Sequence, residues 1–166
     1  MTDKERRYRE VFKRINALLQ EPCDWIAAMS TVACELHNSF DYYHWTGFYR
    51  TVAPNRLQVG PYQGGHGCID ISFSRGVCGA AARTKTTQLV EDVHSFPDHI
   101  ACSSSTISEI VVPIISPSGN TVAVLDVDSD IAASFDETDR ENLEILCARL
   151  GRDYGMEAER AIFGNP

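Results

Sequence analysis

Cys68, Cys78 and Cys102 lie on a stretch of chain made otherwise of short apolar runs and glycine turns, and none of them belongs to a Cys-x-x-Cys pair. In a reducing compartment, cysteines placed this way are read as thiols that react rather than as structural staples. Three carboxylates follow Cys102 closely: Glu109, Asp126 and Asp128. A thiolate that attacks a sulfoxide takes its oxygen and becomes a sulfenic acid. A second cysteine then condenses with it to a disulfide, which an external dithiol reduces. The sulfoxide oxygen must be protonated or polarised as the S–O bond breaks, and a protonated carboxyl is a suitable donor. Thiols and carboxylates so grouped point to thiol-dependent redox chemistry on a small polar substrate.

Strand periodicity sharpens the carboxylate pair. In Leu125-Asp126-Val127-Asp128 successive side chains point to opposite faces, so the two aspartates share one face roughly 7 Å apart. Mutual repulsion and partial burial then raise at least one of their pKa values, leaving a group that donates a proton or receives a substrate ammonium. The plainer alternative is the solvent face of an edge strand. Cys102 is the expected attacking thiol, because it precedes Ser103, Ser104 and Ser105 in a loop-like segment. No Lys or Arg lies between Asp92 and Glu109, so any activation of this thiol must come from elsewhere in the fold. His66, Cys68, His94, His99 and Cys102 are zinc-type ligands, but their spacing matches no standard zinc motif, and no metal is expected. For His94 and His99 the expected role is ordering a loop by hydrogen bonds. Trp45 and Tyr49 share a strand face with Gly47 between them, which suits a ligand under two aromatic rings; core packing would explain them equally well.

The elements that must position these groups are legible in outline. Apolar residues recur at helical spacing over 3–20 (Tyr8, Val11, Phe12, Ile15, Leu18, Leu19). Asp24 is placed to cap a second helix with Ile26, Met29, Ala33 and Leu36 on its apolar face. Cys23 and Cys34 are assigned to these helices as small buried hydrophobes. Strands are expected at Trp45–Tyr49 and Leu57–Val59, joined through Pro54-Asn55, followed by a glycine-rich loop from Pro61 to Gly67 and a short strand at Ile69–Ile71. A short helix over 76–83, a strand at Gln88–Val90 and a long functional loop over 91–105 come next. A second hairpin pairs Glu109–Ile115 with Thr121–Asp128. Ser134-Phe135-Asp136-Glu137 reads as a capping box opening a last helix with Leu143, Leu146, Cys147, Leu150 and Tyr154 on one stripe. Short turns between paired strands and helices gathered at the chain ends imply an α+β fold, its sheet mainly antiparallel, with the terminal helices packed on one face.

Composition sets bounds around that picture. The 166 residues suit one domain, 1–166, able to bury its own core. A net charge of −8 with scattered basic residues argues against nucleic acid or an anionic membrane as partner. No apolar run approaches a bilayer span and the N-terminus lacks the apolar stretch of a signal peptide, so a cytoplasmic protein with reduced thiols is expected.

Taken in order, Trp45-Thr46-Gly47-Phe48-Tyr49, Gly60-Pro61-Tyr62-Gln63-Gly64, Gly76-Val77-Cys78-Gly79, Glu91-Asp92-Val93-His94, His99-Ile100-Ala101-Cys102, Ser108-Glu109-Ile110-Val111 and Leu125-Asp126-Val127-Asp128-Ser129 make a specific set. Together they closely resemble the free methionine-(R)-sulfoxide reductases, single-domain proteins of the GAF fold, from about Val11 to Leu150. The resemblance implies an antiparallel sheet with helices behind and a ligand pocket in front, and reduction of free L-methionine-(R)-sulfoxide. It implies that Cys102 forms the sulfenic acid, that Cys68 closes the disulfide with it, and that Cys78 is auxiliary. Trp45 and Tyr49 would wall the methyl-sulfur end of the substrate. Glu109, Asp126 and Asp128 would hold its ammonium and polarise the sulfoxide, in a division left open. Its carboxylate would meet backbone N–H groups of the loop at Ile100 and Ala101. No cofactor is implied; the reductant would be thioredoxin or a similar dithiol protein, and helices 3–20 and 136–162 would pair two copies as a homodimer. The competing expectation is a non-catalytic GAF sensor, against which stand the absence of room for an output domain and the two loop cysteines beside a carboxylate cluster.

Overall fold

The three longer helices start at side-chain caps. Thr2 accepts a hydrogen bond from the Glu5 N–H while Glu5 accepts one from the Thr2 N–H, opening α1 (Asp3–Leu18), which buries Tyr8, Val11 and Ile15. Asp24 caps α2 (Trp25–His37) through the Ala27 N–H, as expected. The last helix, α4 (Glu137–Phe163), is opened by a box two residues later than the sequence suggests: Asp136 is the cap and Asp139 its reciprocal partner. Ser134 is instead engaged with Ser129 and the Ile131 carbonyl.

The computed structural model describes residues 1–100 and 102–164. Between the helices run β1 (Trp45–Ala53), β2 (Arg56–Gln63), β3 (Asp70–Ser72), α3 (Gly76–Thr84), β4 (Gln88–Val90), a short 3-10 turn (Val93–Ser95), β5 (Ser108–Ile115) and β6 (Thr121–Ser129). They form one six-stranded sheet in the order β3-β2-β1-β6-β5-β4, every neighbour antiparallel. The β1–β2 turn works because Asn55 accepts a left-handed backbone (φ 60°). β2 continues through Pro61 to Gln63, where a loop was expected. Its pairing with β1 skips between Gly47 and Tyr49, an irregularity that carries the strand past the proline.

The sheet separates two apolar layers. Leu125, Val127, Phe48, Ile110 and Val112 face α1, α2 and α4, packing with Tyr8, Met29, Leu36, Leu143, Cys147 and Leu150. On the other face, Tyr49, Val111 and Val124 pack with Ile71, Val77, Cys78 and Ala81 under α3. The α+β architecture is therefore the expected one. Three details of the helices differ. Ile26 is exposed, and Trp25 and Val32 join the expected Met29, Ala33 and Leu36 on the buried face of α2. Cys23 precedes α2 and Cys34 is solvent-exposed, so neither is a core cysteine. Among the described residues no helix is long and apolar enough to cross a membrane.

Candidate active site

The site is built where α3 crosses the front of β5 and β6. Register places Glu109 directly opposite Asp128, and Val111 opposite Asp126, so three carboxylates share one sheet face across two hydrogen-bonded strands. These strands lie inside the sheet, which disposes of the edge-strand alternative. Cys78, in the first turn of α3, comes down on the same spot. Its sulfur and one carboxylate oxygen each of Glu109 and Asp126 all lie within 4.8 Å of one another. Glu109 and Asp126 are each 5 % exposed. Tyr49, Ile71, Gly76, Val77, His99, Ile100, Cys102, Ser103 and Thr106 complete the wall of a cavity of about 30 Å³.

Burial decides the electrostatics. It drives the Glu109 carboxyl well above the ordinary range, and the charges of Asp126 and Asp128 push it further. Asp128 rises for the same two reasons, burial first and Asp126 second. Asp126 is raised by burial to about 7, with contacts from Cys78 and Glu109 holding it back. The Cys78 thiol is pushed far up, chiefly by burial and then by the three carboxylates, which favours its neutral form. Among the described residues no Lys or Arg lines the cavity. Burial and mutual repulsion thus favour the protonated form of these carboxyls.

Cys68 and Cys102 are joined as a disulfide, their Cα atoms 5.1 Å apart. This pairing is the one that the resemblance implies, and it ties the loop after β2 to the loop before β5. Ile100 lines the cavity; Ala101 lies outside the described residues.

A GAF-domain family profile matches residues 23–152. The free methionine-R-sulfoxide reductase of Escherichia coli is 34 % identical over 143 residues, 86 % of each chain. The chain belongs to the free methionine-R-sulfoxide reductase family of GAF-domain proteins. The Saccharomyces cerevisiae free methionine-R-sulfoxide reductase is 50 % identical over 111 residues, 66 % of this chain and 62 % of its own. A crystal structure of the Neisseria meningitidis free methionine-R-sulfoxide reductase in complex with its substrate superposes with a TM-score of 0.86. It is 41 % identical and spans 96 % of this chain and 94 % of that one.

In this free methionine-R-sulfoxide reductase family member the aromatic pair is arranged differently from the expectation. Trp45 stacks on Tyr49 (centroids 5.8 Å, 25°) and also on Tyr62 (5.2 Å, 20°), and the Gly65 carbonyl accepts from the indole N–H at 2.9 Å. Only Tyr49 reaches the cavity. The space above Gly47 is filled by Trp45 and Tyr62, so this glycine makes room for side chains and not for a ligand. The signal for Tyr62 was present in the sequence: it lies opposite Gly47 once β2 is continued through Pro61. Of the zinc-type set, His94 pairs with Asp92 at 2.8 Å in an exposed turn, while His99 lines the cavity. The His94 loop-ordering role fits this contact. Ile71, Val77 and Thr106, which also line the cavity, carry no chemical signature and were not foreseen.

Proposed function

We propose that this protein, acting as one GAF-like domain over 1–166, reduces free L-methionine-(R)-sulfoxide to L-methionine. The observation that carries the reading is the Cys68–Cys102 disulfide at the edge of a cavity walled by three carboxyls whose burial favours the protonated form. The Cys102 thiolate attacks the sulfoxide sulfur. A carboxyl of the Glu109–Asp126–Asp128 group protonates the oxygen; the S–O bond to methionine breaks as the hydroxyl passes to the Cys102 sulfur, the sulfur–sulfur bond to methionine breaks, and methionine leaves Cys102 as a sulfenic acid. Cys68 displaces water from that sulfenic acid and the disulfide forms. A thiol–disulfide exchange with thioredoxin or a similar dithiol protein returns both thiols. Two electrons pass from that dithiol to the sulfoxide, and its oxygen leaves as water.

The same carboxyl group recognises a free amino acid. An α-ammonium entering a cavity without Lys or Arg lowers the pKa of its neighbours and turns one acid into a counter-ion. Tyr49 packs against the methyl-sulfur end, Cys78 holds Asp126 in place as a neutral thiol, and the backbone at Ile100 and Ala101 receives the carboxylate. Trp45 acts through Tyr49. The protein works in the cytoplasm as a homodimer paired through α1 and α4.

The test is NADPH consumption with thioredoxin and thioredoxin reductase, on separate R and S epimers of free methionine sulfoxide. Turnover of R alone, lost in Cys102→Ser with methionine binding retained, is the expected result. Silence with both epimers, even with dithiothreitol as reductant, overturns the enzyme reading and leaves a ligand-binding GAF module. Sedimentation at micromolar concentration tests the dimer.

A further inference from the structure

The cluster of Cys78, Glu109 and Asp126 offers one sulfur and two oxygen donors within 4.8 Å of one another, all buried. A tetrahedral ion with bonds of about 2.0–2.3 Å needs its donors roughly 3.5 Å apart, so the three side chains would have to close up around it. The donors come from a helix and two central strands, elements that hold a site firmly. A second observation points to a ligand. Asp126 is 5 % exposed and lines the cavity, yet its Oδ1 has no hydrogen-bond partner among the described residues. A buried carboxylate oxygen left this way costs about 1–3 kcal/mol, so the fold retains it for something that binds there. The third observation is size. In this disulfide form about 30 Å³ is room for a single ion or a water or two.

We propose that Cys78, Glu109 and Asp126 form a binding site for one divalent cation of borderline softness, the Zn²⁺ class, in competition with the substrate ammonium. One thiolate and two carboxylates suit such an ion better than Mg²⁺ or Ca²⁺, which take oxygen alone. Three protein donors leave a fourth position toward the cavity, the pattern of an open site and not of a structural one. The Cys78 proton and the carboxyl protons leave as the ion enters, and no electron moves. The protein thereby acquires a metal-sensitive brake: an ion on these three groups denies the amino acid its counter-ion. The competition rests on the function proposed above, whereas the ion site does not.

The disulfide form is the protein to test, because Cys68 and Cys102 are then unable to bind metal themselves. Metal-stripped oxidised protein titrated with Co²⁺ should take up one ion and develop a near-ultraviolet thiolate-to-cobalt charge-transfer band. Cys78→Ser should abolish the band, and Glu109→Gln should weaken binding by about tenfold or more. Cys34→Ser, which alters the exposed thiol, should change neither. A band that survives Cys78→Ser, one that vanishes with Cys34→Ser, or no band in the wild type overturns the site. Should Cys78→Ser fail to fold, Glu109→Gln and Asp126→Asn carry the decision, and unchanged affinity in both is a negative result. In a Cys68→Ser/Cys102→Ser protein, whose cavity is free to open, methionine should displace the ion. An ion that stays bound under saturating methionine overturns the competition, and loss of reductase activity has no bearing on either readout.

Discussion

Asp126 shows how one residue records its surroundings. Its folded pKa is raised by burial from 3.8 to about 7, so between those values the native state holds a proton that the unfolded chain has released. Stability from this group is therefore complete below pH 3.8 and is lost as pH rises through about 7. Asp126→Asn removes the dependence while keeping shape and an acceptor oxygen. Urea unfolding across that range should show the variant gaining on the wild type as pH increases. A difference independent of pH would show that burial does not hold the proton. The sequence carried half of this: alternation placed Asp126 and Asp128 on one face, and the structure agrees. What alternation cannot carry is the third wall. Cys78 reaches Asp126 because α3 lies across β5 and β6, a tertiary fact without a local pattern.

At the scale of elements, α4 is anchored by more than its apolar stripe. Asp139, fully buried, accepts hydrogen bonds from Tyr8 at 2.8 Å, Tyr42 at 2.6 Å and Lys4 at 2.6 Å while completing the cap of its own helix. Asp139→Ala strands those donors and should cost about 3–5 kcal/mol, read as a lower urea midpoint at unchanged slope. Gly47→Ala should cost about 1–3 kcal/mol and disturb the near-ultraviolet circular dichroism of Trp45, since a methyl there collides with Trp45 and Tyr62. Both hairpins were legible from their Pro, Asn and Gly turn signals, the short helix from small residues with no breaker after Gly79, and the last helix from its apolar stripe. The misreadings have physical causes. Pro61 suggests a loop, but an irregular pairing lets β2 continue. Ser134 resembles a cap, but Asp136 offers the stronger acceptor two residues on. Ile26 flanks the apolar stripe, and its neighbour Trp25 takes the buried place.

For the whole molecule, the disulfide is the feature with the widest reach. It closes a loop across a sequence separation of 34, which on chain-entropy grounds stabilises the fold by about 4 kcal/mol. The oxidised protein should therefore melt roughly 8–15 °C above the reduced one in parallel calorimetry. With about 30 Å³ inside, the oxidised form should also bind methionine far more weakly than the reduced form, and equal affinities by titration calorimetry would show that the disulfide does not govern entry. The sheet has a further consequence. Its rear layer, with most of the large buried side chains, shares no residue with the layer that lines the cavity. Pocket-facing positions can thus be randomised while the principal core stays intact, so the fold is a chassis on which natural drift or a laboratory library can exchange one small substrate for another without first rebuilding the protein.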